Sequence, residues 1–135
     1  MPVPPAVHAY IATEEFYPDA SVIIEEGTVG GWVYVILEGS AKVQKKTPKG
    51  MLTIDTLKEG DMFGEMGFLA EGKRPRSASV IARGDVWVGV LDSEKLTKDL
   101  EQLPSNLRAL IRSLALKLRE STAKICSLAA VPGEK

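Results

Sequence analysis

The sequence holds a single cysteine, Cys126, and a single histidine, His8. One thiol excludes an internal disulfide, and one thiol with one imidazole is too small a set to build a zinc or haem site. An excess of charge is also missing: 17 Lys and Arg stand against 18 Asp and Glu, for a net charge of −1. That balance argues against nucleic-acid or anionic-membrane binding driven by bulk charge. The longest uncharged apolar stretch, residues 30–37, is far short of a bilayer span. Met1-Pro2-Val3-Pro4-Pro5 carries neither a basic segment nor a long apolar core, so no secretory signal is expected. What is present is 135 residues, 44% hydrophobic and 26% charged, enough to bury a core without covalent or metal staples. The expectation is one cytoplasmic domain with no membrane partner, no metal and no cofactor.

Three zones follow one another. Residues 1–20 open with prolines, and Val7 to Phe16 reads as about two helical turns. Residues 21–91 hold short β-branched and aromatic runs between glycines: Ser21 to Ile24, Val33 to Leu37, Leu52 to Ile54 and Val86 to Val88. Such runs predict closely spaced strands of a barrel or sandwich. Thr47-Pro48-Lys49-Gly50 and Arg83-Gly84-Asp85 read as turns, and Lys42, Lys45, Lys46 and Lys49 as a solvated hairpin.

Residues 92–130 change period. Asp92 or Ser93 can cap a short helix over Glu94 to Leu103, and Pro104 can open a second. In that second helix Leu107, Ile111, Leu114, Leu118, Ile125 and Leu128 follow a 4-3-4-7-3 spacing, with Ser121 as the one polar seam position. The heptad seam fits a helix lying on its own barrel or pairing with a twin, and the two are compatible if opposite edges are used.

Enzyme chemistry finds no footing in these residues. A metal-dependent barrel enzyme needs several histidines or carboxylates facing one ion, and His8 precedes the strand region. Glu14-Glu15 and Glu25-Glu26 are adjacent pairs rather than facing dyads, and Gly27-Thr28-Val29-Gly30-Gly31 lacks the Gly-Lys-Ser/Thr of a nucleotide-hydrolysing loop. A catalytic role is not expected.

The informative stretch is Glu59 to Leu69 followed by Arg74 to Val80. Gly64 and Gly67 permit close approach of backbone to a ligand. A helical turn after Gly64 presents free N–H groups to an anion, and Arg76 offers a planar donor fork. Glu65 is acceptor-only, suited to a hydroxyl. Together they suit a small ligand with one phosphate and a neighbouring ribose hydroxyl.

Phe63-Gly64-Glu65 and Arg76-Ser77-Ala78-Ser79-Val80 resemble the phosphate-binding cassette of the cyclic nucleotide-binding domain family. Ile24-Glu25-Glu26-Gly27, Tyr34 to Gly39 and Gly60-Asp61 resemble its earlier glycine landmarks, so the likeness covers about residues 16–130. It implies a mainly β fold, a β-roll or jelly-roll barrel (a double-stranded β-helix) over residues 21–91 with the cassette at 63–80. A short phosphate-binding helix and C-terminal helices follow, the last a long dimerisation-type helix.

It also implies roles. Glu65 would bind the ribose 2′-hydroxyl and Arg76 an exocyclic phosphate oxygen of cyclic AMP or cyclic GMP. Amides near Gly64, Glu65 and Met66 and at Ser77 and Ala78, with the Ser77 hydroxyl, would complete the phosphate shell. Val43 and Ile54 would line the base and ribose pocket, and Ser121 and Thr122 would face adenine. The implied partner is a second copy through residues 104–129. Direct DNA binding is not expected from the chain as given, since no helix-turn-helix follows. Asp19 departs from the family pattern, where glycine is common, and so does a longer excursion from Ala70 to Pro75. The alternatives are the same fold without a nucleotide, as a structural dimer or scaffold element, and one domain cut from a larger regulator.

Overall fold

A computed structural model describes residues 3–69 and 75–129. The elements run α1 (Pro5–His8), β1 (Ile11–Tyr17), β2 (Val22–Ile24), β3 (Tyr34–Thr47), β4 (Gly50–Lys58), β5 (Met62–Phe63), α2 (Glu65–Leu69), β6 (Ser79–Leu91), α3 (Ser93–Glu101) and α4 (Ser105–Ala129). The long strands β3 and β6 organise the sheet. Its order is β1-β6-β3-β4, with β2 added to β6 and β5 to β3, all antiparallel. Because β3 and β6 each serve several partners along their length, the sheet curls into the mainly β roll that the sequence predicts, closed on one side by helices.

The apolar run at the start of β3 faces two ways. Tyr34 and Ile36 enter the main core with Val86, Val88 and Phe63. Val33 and Val35 enter a second core with Leu91, against which Val7, Phe68 and Leu96 pack. A strand buried on both faces reads as a continuous hydrophobic run, which is why residues 33–37 show no alternation. Tyr34 and Phe63 stack with ring centroids 5.1 Å apart.

Two sequence expectations need correction. Val7 to Phe16 is not two helical turns: α1 is a single turn, and Ile11–Tyr17 is a strand paired with β6. The sheet therefore starts at Ile11 rather than at residue 21. The gain that outweighs helix formation is the ladder to the edge of β6, reinforced by Phe16 against Trp87 at 5.3 Å. Arg83-Gly84-Asp85 is not a turn but an irregularity inside β6. There the register against β3 jumps from Ser40↔Arg83 to Glu38↔Trp87. Asp19 pins the kink, its carboxylate accepting from the Gly84 N–H at 2.7 Å while its own N–H donates to Asp85 at 3.1 Å. That use of a side chain explains an aspartate where the family often has glycine.

The Asp92 carboxylate caps α3, accepting from the Lys95 N–H at 3.1 Å. The Pro104 carbonyl accepts from Leu107 and Arg108 N–H groups, so the proline stands just outside α4. Along α4, Arg108, Ile111, Ala115 and Arg119 are half-buried, whereas Leu107, Leu110, Leu114 and Leu118 are exposed. Ile111 thus turns toward its own domain and Leu110 takes its place on the outer stripe. The side chains of Ile125 and Leu128 lie outside the described residues. No described helix is long and apolar enough to cross a membrane.

Candidate functional site

The site is assembled around Gly64. Its φ is 85°, and a Cβ there would stand 2.6 Å from the Trp32 carbonyl oxygen, so only glycine fits between β5 and α2. The turn leads into α2, whose first N–H groups are unused by the helix itself and whose Phe68 packs back on the second core. Glu65 opens that turn, and its carboxylate accepts from its own backbone N–H. The residue is exposed as a whole, but partial desolvation of the carboxyl beside the roll raises its pKa above the usual carboxylate value, against the opposing pull of that bond and of the Arg76 cation.

Arg76 reaches the same place from the strand side. It is only 8% exposed. One terminal nitrogen donates to the Gly64 carbonyl at 3.0 Å and the other to the Trp32 carbonyl at 3.1 Å. Burial lowers its pKa, while Tyr34 and Glu65 act in the opposite direction. A guanidinium carries five N–H donors, so about three remain for a ligand while both carbonyls stay satisfied. Arg76 is therefore a structural clasp that still has N–H groups to offer an anion.

Ser77 and Ala78 follow, half-buried, between Arg76 and the start of β6. Their placement depends on a contact that the sequence reading missed. Lys45, expected in a solvated hairpin, donates to the Ser77 carbonyl at 2.7 Å and pairs with Glu26 at 3.1 Å. Its position on β3 decides this: Ala41 is fully buried, Val43 packs against the core, and Lys45 continues the inward-facing parity. Counting two residues onward from Val43 would have found it.

Val43 on β3 and Ile54 on β4 are both half-buried near one another, but not as a facing pair. Val43 opposes Asp55 and Gln44 opposes Thr53, which leaves Ile54 as the extra residue of a bulge. Met66 lies in α2, with its side chain outside the described residues. Ser121 is exposed on α4, and the Thr122 side chain is outside the described residues, as is the excursion through residues 70–74. The structure thus brings Gly64, Glu65, Arg76, Ser77 and Ala78 into one locus. A tie between α4 and that locus is made by Arg119, which donates to the Pro75 carbonyl next to Arg76. A separate cleft of about 700 Å³ lies between α2, α3 and α4, and among the described residues none of the sequence-predicted ligand residues lines it.

The Arg76 guanidinium, the helix-turn and loop amides and the Glu65 carboxylate meet here. This is chemistry for an anion that carries a hydroxyl beside it, held at the mouth of a β-roll. The residue profile of the cyclic nucleotide-binding domain family matches residues 14–103, and the chain belongs to that family. Among its relatives, it is 41% identical over 75 residues to a cAMP-dependent protein kinase regulatory subunit of Aspergillus fumigatus, a match covering 56% of this chain and 17% of that protein. It is 31% identical over 114 residues to the cAMP-activated global transcriptional regulator CRP of Escherichia coli O157:H7, covering 84% of this chain and 54% of that one. The cAMP-bound form of the EAL enzyme Bd1971 superposes with a TM-score of 0.76 at 25% identity, over 83% of this chain and 29% of that chain. The chain thus spans from about a sixth to about half the length of these two curated relatives.

Proposed function

We propose that this domain senses a cyclic mononucleotide, cyclic AMP in preference to cyclic GMP, and acts as a regulatory binding module rather than an enzyme. The observation that carries the reading is the buried Arg76 fork beside the Gly64-Glu65 turn. Arg76 meets an exocyclic phosphate oxygen with its remaining N–H groups. The first-turn amides of α2, the Ser77 and Ala78 amides and the Ser77 hydroxyl surround the rest of the phosphate. Glu65 accepts from the ribose 2′-hydroxyl, and Val43 and Ile54 line the ribose and base. Ser121 and Thr122 on α4 face the base edge, where a hydroxyl accepts from the exocyclic amino group of adenine. The cAMP-activated and cAMP-dependent relatives support that choice of base, whereas the neighbouring EAL enzyme Bd1971 is solved with cAMP and with cGMP and supports the cyclic nucleotide class alone. Occupancy is passed to α4 through its contacts with the cassette, and from α4 to a second copy of the chain.

Binding to the native state alone makes ligand at one hundred times its dissociation constant stabilise the fold by about 2.7 kcal/mol. Titration calorimetry and thermal melting with cyclic AMP and cyclic GMP test this, with heat and an upward melting shift expected. No heat and no shift at millimolar concentration of either nucleotide overturns it. Arg76→Lys should retain only part of the affinity, because a single ammonium nitrogen lacks the planar fork whose separate nitrogens reach the two carbonyls and a phosphate oxygen.

A further inference from the structure

The Lys45 ammonium is anchored on a hub that nothing in the cassette motif announces. Glu26 accepts from Lys45 Nζ through one carboxylate oxygen at 3.1 Å and from the Lys46 N–H through the other at 2.8 Å. Its own N–H donates to the Ser79 hydroxyl at 2.9 Å. The next residues continue the clamp: the Gly27 N–H donates to the Arg76 carbonyl at 2.9 Å, and the Arg76 N–H donates to the Thr28 carbonyl at 2.7 Å. Residues 26–28 therefore hold both ends of the segment from Arg76 to Ser79, and Lys45 holds its middle. The Lys45 side chain is 22% exposed, so its charge sits at the edge of the roll's mouth rather than in bulk water.

The Ser77 carbonyl and the Ala78 N–H belong to one trans peptide unit and point in opposite directions. A donor that fixes the carbonyl on one side fixes the amide on the other. Among the described residues no backbone carbonyl accepts from the Ala78 N–H. We propose that Lys45 is a positioning residue for the anion site: by gripping the Ser77 carbonyl, with Glu26 as its anchor, it aims the Ala78 N–H at the ligand's phosphate. A cation on the carbonyl also polarises the peptide, which makes that amide a stronger donor. Lys45 touches no ligand in this role. The inference rests on the cyclic nucleotide reading of the site, and its test separates the two.

The experiment uses the whole chain and three variants: Lys45→Met, which keeps the stem without the charge, Lys45→Gln, whose uncharged amide nitrogen ends one bond short of the ammonium position, and Lys45→Arg. The readouts are the amide proton and nitrogen shifts of Ala78 without ligand, cyclic AMP affinity by calorimetry, and the melting temperature. In Lys45→Met and Lys45→Gln the Ala78 resonance should move while the melt stays close to wild type. Affinity should fall about tenfold, as for the loss of one well-aimed hydrogen bond to an anion. Lys45→Arg, which still offers donors to the carbonyl, should recover most of both. Unchanged Ala78 shifts in the unliganded Met and Gln variants overturn the inference, as does wild-type affinity in both. A wild type that binds no cyclic nucleotide overturns the functional reading instead, and the unliganded shifts still decide whether Lys45 orients this peptide.

Discussion

Glu65 is a carboxylate whose ionised form the fold disfavours. Burial raises its pKa above the ordinary 4.5, although Arg76 offsets part of the rise. A folded-state value above the unfolded one means the native chain holds that proton more tightly. The resulting stability is full below about pH 4.5 and is lost as pH rises through the folded value. In the proposed role of Glu65, ligand reverses the preference, since the ionised carboxylate accepts from a 2′-hydroxyl more strongly than the neutral acid does. Cyclic AMP affinity should therefore weaken as pH is lowered from neutrality through the folded value. A 2′-deoxy analogue should show a flat profile over the same range, and so should Glu65→Gln. Calorimetry at several pH values checks this, and parallel profiles for the ribose and deoxyribose ligands would assign Glu65 to the fold alone. Glu65 and Arg76 were legible in the sequence because the motif places one after a glycine and the other before Ser-Ala-Ser-Val. Lys45 was not. Four lysines around a hairpin look alike in composition, and only the strand parity set by the buried Ala41 and Val43 turns one of them inward.

At the scale of elements, β3 and β6 cross where each departs from regular geometry. Gly39 has φ 95°, and a Cβ on it would stand 2.5 Å from the Asp85 carbonyl oxygen and 3.1 Å from the Val86 Cα. Both neighbours are backbone and cannot swing away. Gly84, on the other side of the same irregularity, has φ 74° with open space around it. Alanine at either position incurs the left-handed backbone strain of about 1–3 kcal/mol. At Gly39 the collision with β6 adds to it. Gly39→Ala should thus lower the melting temperature by more than about 5 °C, and clearly further than Gly84→Ala. Equal losses would show that crowding against Asp85 is relieved by a cheap shift of β6. The strands themselves were readable from their β-branched runs, and α3 and α4 from caps and period. The irregularity was not, because Arg-Gly-Asp has the composition of a turn. What converts it into strand is Asp19, sixty-five residues from Gly84, whose carboxylate takes the N–H that a turn would have closed on itself. Strand β1 was misread for a related reason: its residues are mostly exposed, so no hydrophobic alternation marks it, and its stability comes from the partner strand.

Across the whole molecule, α4 is the element with two commitments. At 25 residues it is roughly 37 Å long. Its inner edge, through Arg108, Ile111, Ala115 and Arg119, faces its own domain, and Arg119 holds the Pro75 carbonyl beside Arg76. Its outer edge presents Leu107, Leu110 and Leu114, with Leu114 54% exposed. An apolar stripe of that kind fits a second copy of the same helix. If occupancy of the site shifts Arg76 and Pro75, the pull reaches α4 through Arg119, and any change in pairing feeds back equally on affinity. Leu114→Glu should leave the isolated fold nearly as stable as wild type, because an exposed position away from special geometry changes stability by only about 0.5 kcal/mol. It should nonetheless abolish dimerisation in sedimentation equilibrium. The monomeric variant should bind cyclic AMP more weakly than the dimer, by a factor of the order of 5- to 150-fold for typical couplings, and filling both sites should tighten the wild-type dimer by the square of that factor. Arg119→Met separates pairing from coupling: it keeps the stripe and removes the bond to Pro75. Its dimer should form equally well with and without nucleotide. A Leu114→Glu monomer that binds cyclic AMP as tightly as the dimer would instead leave α4 as packing, with the roll binding its ligand alone.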